Sequence, residues 1–204
     1  MELEKSIIFR INDFNSEFRS LNESDVSQNY IDGLKEQKEY VENIPVHVSA
    51  SSQKKYINDI NVSKENTICG LFLNRELVGT SGVQLSTSFL RDVNVPIENI
   101  ATIGIFLFSK NFRGMGLGKT LVWSATRLFH DATQIDWFGA GMAKRNIPSL
   151  KSFLSCGFRK IYEDEENCRV LLNYSELMKP DLITDEAIRK VDLRSRSGLV
   201  DRLS

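Results

Sequence analysis

A strongly apolar run, ATIGIFLF (101–108), leads directly into a glycine-rich loop, NFRGMGLGKTL (111–121). Apolar residues after the loop recur at the spacing of one helix face, which predicts a helix from the glycines to about Asp131. A strand that ends in such a loop and a helix exposes unpaired amides at the positive end of the helix dipole. Because glycines also let the main chain approach a ligand closely, this unit predicts an anion site that favours phosphate.

The loop matches the nucleoside triphosphate motif G-x-x-x-x-G-K-[ST] only in part. Gly118, Lys119 and Thr120 fill its last three positions, but Arg113 stands where the first glycine is required. A triphosphatase also needs a carboxylate at the end of a second strand to hold magnesium. Asp136 instead lies at the start of the strand predicted over 135–143, so the sequence argues against this class and predicts no metal site.

Read as R-x-x-G-x-G, the same loop resembles the pyrophosphate-binding motif of the GCN5-related N-acetyltransferases. A second segment, NIPSLKSFLSCGF (146–158), fits the later motif of that family. The resemblance covers roughly residues 14–174 and is closest to the RimJ/RimL-like branch. Two departures are visible, because Gly33 stands where many relatives have Trp and Thr102 where a catalytic Glu often sits. The resemblance implies acetyl-CoA as the cofactor.

The resemblance also implies an α+β fold with a mixed, mostly antiparallel sheet of about seven strands and about four helices. The sheet is expected to split between the fourth and fifth strands. Chain patterns agree with this order: a first helix capped by Asn22 with Asp25 and weakened or ended by Gly33, a second helix over 49–60, and hairpins around 74–75 and 165–166. We expect one domain over 1–174 and an appendage over 175–204, either a short helix at DEAIRKVDL (185–193) or a mobile tail.

Charge and composition exclude several classes of protein. Lys plus Arg (26) nearly balance Asp plus Glu (27), so no nucleic-acid partner is expected. Three cysteines at spacings that suit neither zinc nor a disulfide framework predict reduced, buried thiols. No signal peptide and no apolar run of membrane-span length is present, so we expect a cytoplasmic protein without a membrane partner. A homodimer is left open.

The family resemblance implies a set of cofactor contacts. The main-chain edge of the central strand is expected to pair with the pantetheine arm, and the loop amides to bind the pyrophosphate. Asn146 is expected to bond the pantetheine or to fix the turn into its helix, and Phe153 to share the cofactor-facing side of that helix with Ser149. The remaining expected cofactor residues are Phe106, Leu107, Phe108, Arg113, Gly114, Met115, Gly116, Leu117, Gly118 and Lys119.

Catalytic roles are assigned to two residues. The family usually protonates the leaving thiolate with a Tyr, but Phe153 stands there and has no proton to donate. Ser149 matches the serine that acts as the proton donor in RimJ/RimL-like enzymes, and the resemblance therefore implies this role for it. The alternative is that Ser149 caps local backbone, as serines near a helix start often do. His47 is the candidate general base because its ordinary pKa suits proton removal near neutrality. A water relay without a dedicated base is the alternative.

The expected activity is transfer of an acetyl group to a primary amine. We favour a small molecule such as a nucleotide-linked amino sugar, because LNESDVSQNYIDGL (21–34) looks like enzymes of amino-sugar pathways. A protein N-terminus is less favoured, because ribosomal protein tails are basic and we expect no acidic run at the loops flanking the acceptor. The alternatives are a protein N-terminal acetyltransferase of the RimJ/RimL type and a non-catalytic acyl-CoA-binding module.

Overall fold

The structure is a computed structural model that describes residues 3, 5–36, 48–63, 65–86, 89–90, 99–108 and 112–190. Within these residues, nine strands form one sheet in the order β7-β8-β6-β5-β4-β3-β2-β1-β9, and four α-helices pack on it. The strands are β1 Lys5–Ile11, β2 Phe14–Ser20, β3 Asn66–Leu73, β4 Glu76–Ser86, β5 Ile100–Leu107, β6 Trp137–Ala143, β7 Arg159–Glu163, β8 Asn167–Asn173 and β9 Ile183–Lys190. The helices are α1 Gln28–Glu36, α2 Ala50–Val62, α3 Leu117–Thr133 and α4 Ile147–Leu154.

The expected α+β fold with a split, mixed sheet is confirmed. Every strand pair is antiparallel except β5 and β6, which run parallel. β5 pairs with β4 along its whole length, from Ile100 to Leu107, but pairs with β6 only at Ala101 and Thr102. The two parallel strands therefore diverge toward the end of β5, the strand that leads into the glycine-rich loop.

The two faces of the sheet carry different helices. On one face the predicted helix α3 buries its apolar side, including Leu121, Ala125 and Phe129, against the largest hydrophobic cluster of the protein. On the other face α1 and α2 cover a second cluster built around Phe72 and Phe108. No helix in the described part of the chain is both long and apolar enough to span a membrane.

The first predicted helix begins in two steps. Asn22 and Asp25 form the predicted capping box, but it closes a single 3₁₀ turn, Glu23–Asp25, and α1 begins only at Gln28. Ser27 provides the second cap, since its hydroxyl accepts the Tyr30 N–H at 3.2 Å. Gly33 does not end α1, which continues to Glu36; residues 37–42 of the prediction lie outside the described chain.

The sheet has nine strands where about seven were expected, because both ends of the chain add one. β1 pairs with β2, and β9 pairs with β1 from Lys5↔Lys190 to Ile11↔Ile183. Residues 183–190 are thus a strand, which corrects the predicted helix or mobile tail for this part of the appendage. The physical reason is tertiary: Ile183 is 2% exposed in the main core and gains this burial only by pairing with β1.

Candidate active site

The N-terminus of α3 presents main-chain amides that nothing in the described residues caps. Gly116 is its N-cap and has no side chain to accept a hydrogen bond, and the first helical bond is from Thr120 N to Gly116 O. Gly114 and Gly116 have φ of +79° and +76°, the left-handed region that favours glycine. A Cβ at Gly114 would meet no atom of the described residues within 4 Å, so this part of the loop is open on their side. The geometry suits a ligand that approaches the main chain closely.

The charges around this helix end favour an anion. Its first turn contains no acidic residue, while Arg113 precedes the turn and Lys119 lies in it. Neither side chain forms a salt bridge with any residue that the structure describes. Cations at the positive end of a helix dipole repel it, and a bound anion would relieve that repulsion. The loop therefore suits an anionic ligand such as a phosphate group.

Three contacts hold the loop from behind. A Cβ at Gly118 would lie 2.5 Å from Ser152 Oγ of α4, so the second motif glycine is required for close packing of the two helices. The Cys156 thiol donates to Lys119 O at 3.2 Å. Leu182 reaches Gly116, where a Cβ would lie 2.8 Å from its Cδ2. Sequence reasoning missed Ser152 and Leu182, although the motif glycine at 118 was a signal for close packing.

The three central-strand residues alternate between the two faces of the sheet. Phe106 and Phe108 belong to the cluster under α1 and α2, and Tyr30 packs edge-on against Phe108 at a centroid distance of 5.5 Å. Leu107 packs on the α3 side. All three lie beyond Thr102, the last residue of β5 that pairs with β6, so their strand borders the gap. Gly104, two residues after Thr102 in β5, is exposed. A glycine inside an apolar strand indicates an open surface, so this position was a signal in the sequence.

α4 brings Ser149 and Asn146 together but separates Phe153 from them. Asn146 Oδ1 accepts the Ser149 N–H at 3.3 Å, so Asn146 is the helix cap, the second of its two expected roles. The Ser149 hydroxyl is half-buried and makes no hydrogen bond within the described chain. Phe153 is only 1% exposed and packs edge-on against Phe158 at 5.0 Å. It therefore belongs to the core and does not share an open side with Ser149.

Two further positions singled out in the sequence are His47 and Thr102. His47, the candidate base, lies outside the residues that the structure describes. Thr102 is half-buried, and its hydroxyl donates to Gln84 O at 3.3 Å.

An acidic run lies beside the end of β6, in the turn between β7 and β8. The β7–β8 turn carries Glu163–Glu166 in sequence, and its last two carboxylates line a cavity of about 510 Å³ with Lys144 and Arg145. The Lys144 ammonium, 2.7 Å away, and Lys160 lower the pKa of Glu163 to about 2. Asn167 and Glu166 amides lower the pKa of Asp164. The run is thus balanced by basic neighbours, so it forms no uniformly acidic surface.

All three cysteines are free and buried, as predicted. Burial raises the pKa of the Cys69 thiol and of the Cys156 thiol to about 12 each.

Comparisons with known proteins identify the fold. The similar solved structures include RimJ of Mycobacterium smegmatis in complex with CoA-disulfide, at 14% identity and a TM-score of 0.69, covering 89% of this chain and 94% of that one. Ribosomal-protein-S5-alanine acetyltransferase of Vibrio fischeri has 16% identity and a TM-score of 0.65, covering 80% and 96%. Spermidine N-acetyltransferase of Vibrio cholerae, in complex with CoA and spermine, has 14% identity and a TM-score of 0.61, covering 79% and 96%.

No curated protein matches the sequence. The family model described as "Acetyltransferase (GNAT) domain" matches residues 16–159, which is more than half of the chain and includes the glycine loop, the diverging strands and α4. The chain belongs to the GNAT acetyltransferase family, whose cofactor is acetyl-CoA.

Proposed function

We propose that this protein is an N-acetyltransferase that acetylates a primary amine of a small molecule, such as a nucleotide-linked amino sugar. One observation carries the catalytic proposal: the uncapped, positively charged N-terminus of α3 directly follows the strand edge that β6 leaves free after Thr102. Acetyl-CoA, when bound, supplies a thioester whose acetyl group can pass to a neutral amine. The amides of Arg113 to Lys119 would hold its pyrophosphate, and the β5 edge at Phe106 to Phe108 would align its pantetheine arm.

The proposed proton donor to the departing thiolate is Ser149. Two observations support this assignment: the Ser149 hydroxyl makes no hydrogen bond within the described chain, and Asn146 Oδ1, which accepts the Ser149 N–H, is the cap of α4. The proposed base is His47, an assignment that stands on the sequence alone. A half-buried hydroxyl beside a helix cap can donate a proton without rearranging the turn that presents it.

A protein N-terminus is the second candidate acceptor. Glu165 and Glu166 favour it, because exposed carboxylates beside the end of β6 would attract a basic tail. Lys144 and Arg145 line the same cavity and oppose that attraction, so we retain the small molecule as the leading proposal.

The proposal is tested by mixing the protein with acetyl-CoA and a panel of amines, and by following release of free thiol. Amino sugars and their nucleotide conjugates, polyamines and basic peptides with free N-termini form the panel. Thiol release with an amino sugar is the expected result, and release only with peptides would favour the protein N-terminus. CoA binding without release for any amine would indicate the non-catalytic acyl-CoA-binding module instead.

A titration with CoA tests the role of the loop in cofactor binding independently of acetyl transfer. Gly114→Val forces a branched side chain into a left-handed backbone and into the space open to the ligand, so CoA affinity should fall sharply. Equal CoA affinity in this variant and the native protein would remove the loop from the proposal. Light scattering of the same samples tests the homodimer, which stays a prediction.

A further inference from the structure

A cavity of about 770 Å³ lies on strands β9, β1, β2 and β3, outside the candidate active site. Its lining residues come from these strands and the β3–β4 turn, and none belongs to β5, α3 or α4. Ile8 pairs with Glu17 and Glu17 with Phe72, so the three side chains form a row on the face opposite α3. Among the described residues, neither β1 nor β9 contributes to the cluster that α1 and α2 cover. The cavity is therefore open on this side, and its volume is that of a small-molecule site.

Three arginines line this cavity, and two of them have no partner among the described residues. Arg19 forms ion pairs with Asp25, at 2.7 Å, and with Glu17, at 3.5 Å. Glu17 is the only carboxylate among the described lining residues, so the pair with Arg19 already engages it. Arg75 and Arg189 form no salt bridge and no side-chain hydrogen bond with any residue that the structure describes. Two positive charges therefore remain uncompensated at the cavity.

The two unpaired arginines come from opposite sides of the cavity. Arg189 lies on β9, and Arg75 lies in the turn that follows β3. Because β1 and β2 separate these two strands, β9 and β3 lie about 14 Å apart. Between them, the Arg19 guanidinium lies 4.0 Å from the centroid of the Phe72 ring, and its pair with Glu17 has no net charge. A ligand that reaches both free cations must be elongated, with an anionic group at each end and an uncharged body.

The turn that carries Arg75 would be more stable with a glycine. Asn74 and Arg75 have φ of +46° and +73°, and glycine is favoured at the second position of such a two-residue hairpin turn. Other residues lose free energy in this left-handed backbone, and no ion pair or side-chain hydrogen bond of Arg75 in the described chain offsets that loss. A cation kept at a strained position beside a cavity indicates a role outside folding.

We propose that this cavity, the arginine cavity, binds an elongated small molecule with a phosphate or carboxylate group at each end. Arg75 and Arg189 would each bind one end, since a guanidinium donates two parallel hydrogen bonds to either group. The half-buried Ile8 and the Phe72 ring would contact the uncharged body. This site is separate from the anion site at the N-terminus of α3, and it does not depend on the proposed acetyl transfer.

The test is calorimetry on the protein saturated with CoA, so that the anion site of α3 is already filled. Hexanediol bisphosphate and suberate are the two-ended probes, because they share a methylene chain and differ in their end groups. Hexyl phosphate is the one-ended probe. Arg75→Gly removes one cation and relieves the left-handed backbone, and Arg189→Gln removes the other. Arg159→Gln, an exposed arginine on the strand at the other edge of the sheet, is the matched control for the loss of charge.

At least one two-ended probe should bind the native protein about tenfold or more tightly than hexyl phosphate, and the tighter of the two identifies the end group. Each cavity variant should weaken this binding about tenfold or more, and Arg159→Gln should not. Arg75→Gly should also raise the melting temperature, so its loss of binding cannot come from unfolding. No binding of either two-ended probe, equal binding of hexyl phosphate, or an equal loss in Arg159→Gln would overturn the inference.

Discussion

The proposed protonation of the leaving thiolate depends on one hydroxyl group, that of Ser149. Its neighbour Asn146 caps α4, so the Ser149→Ala change removes a proton donor and leaves the helix start intact. We expect kcat to fall on the order of 10²-fold, the lower range for a general acid, with CoA affinity unchanged. Stopped-flow thiol release and a CoA titration measure the two quantities.

The control for this change is Ser155, the residue that caps the C-terminus of α4. Ser155→Ala removes an exposed hydroxyl that donates to Lys151 O at the end of α4. It should leave turnover at the native rate. Native turnover in Ser149→Ala would exclude Ser149 as the acid, whereas an equal loss in both variants would assign the effect to helix stability.

An ion pair between Arg19 and Asp25 connects strand β2 of the sheet to the capped 3₁₀ turn, Glu23–Asp25. Arg19 makes two 2.7 Å bonds to Asp25 and lies 4.0 Å from the centroid of the Phe72 ring. Asp25 also accepts the Asn22 N–H at 2.9 Å. The side chains are 14% and 9% exposed, so solvent screens the pair less than a surface salt bridge.

Removing Asp25 should therefore cost more than losing a surface pair. Asp25→Ala leaves the largely buried Arg19 with only the longer 3.5 Å pair to Glu17 and opens the capping box, and we expect about 2–4 kcal/mol of lost unfolding free energy. Urea denaturation measures this loss. Asp59→Ala is the control, because its exposed i,i+4 pair with Lys55 should contribute less than about 1 kcal/mol. Similar losses in the two variants would contradict the structural role given to Asp25.

At the scale of an element, α1 packs against the end of β5 through Gly33. A Cβ at this position would overlap Cβ of Phe108 and lie 2.9 Å from its Cγ. Alanine normally favours a helix over glycine by about 1 kcal/mol, but here overpacking costs about 1–3 kcal/mol and should dominate. Gly33→Ala should therefore lower the melting temperature. Gly104→Ala, with no atom within 4 Å, is the matched change and should not; a stabilised Gly33→Ala would refute the close contact.

The elements that the sequence predicted well are those whose local signals agree with their packing. α3 has both a helical apolar face and glycines before it, and the β3–β4 hairpin has Asn74 and Arg75 in its turn, with φ of +46° and +73°. β9 lacked such agreement. Its residues, ITDEAIRK, include good helix formers and exposed charges, and only pairing with β1 makes them a strand.

The same argument explains which parts of the site were predictable. Main-chain chemistry at the α3 N-terminus follows from local glycines, so the loop could be found by its spacing. The Leu182 contact and the burial of Phe153 depend on residues brought together from distant parts of the chain. No local pattern encodes those distances.

At the scale of the whole molecule, the first and last strands of the described residues, β1 and β9, pair and extend the sheet at the edge away from β5 and β6. The family model ends at residue 159, yet Leu182 from the following segment contacts the loop at Gly116. The chain therefore contributes Leu182, just before β9, to the surroundings of the loop, and Ile183, the first residue of β9, to the core.

The buried thiols make the stability of the whole molecule depend on alkaline pH. The pKa of Cys69 and of Cys156 is about 12 in the folded protein, against 9.0 for an exposed thiol, because burial disfavours the thiolate. Unfolded thiols thus lose protons from pH 9 while folded thiols keep theirs to about pH 12. The unfolded state then binds fewer protons, so folding stability is fully present below pH 9 and falls as pH rises toward 12.

Each thiol should contribute up to about 1.4 kcal/mol of lost stability per pH unit in this window. Urea unfolding at about pH 8, 9 and 10 measures the slope, and Cys69→Ala and Cys156→Ala should each reduce it. Lys and Tyr titrations are shared by all variants and cancel in the comparison. The same burial predicts that a thiol reagent stays unreacted with the native protein at about pH 8 and reacts only on unfolding. Rapid native reaction, or identical slopes in the variants, would contradict the buried thiols.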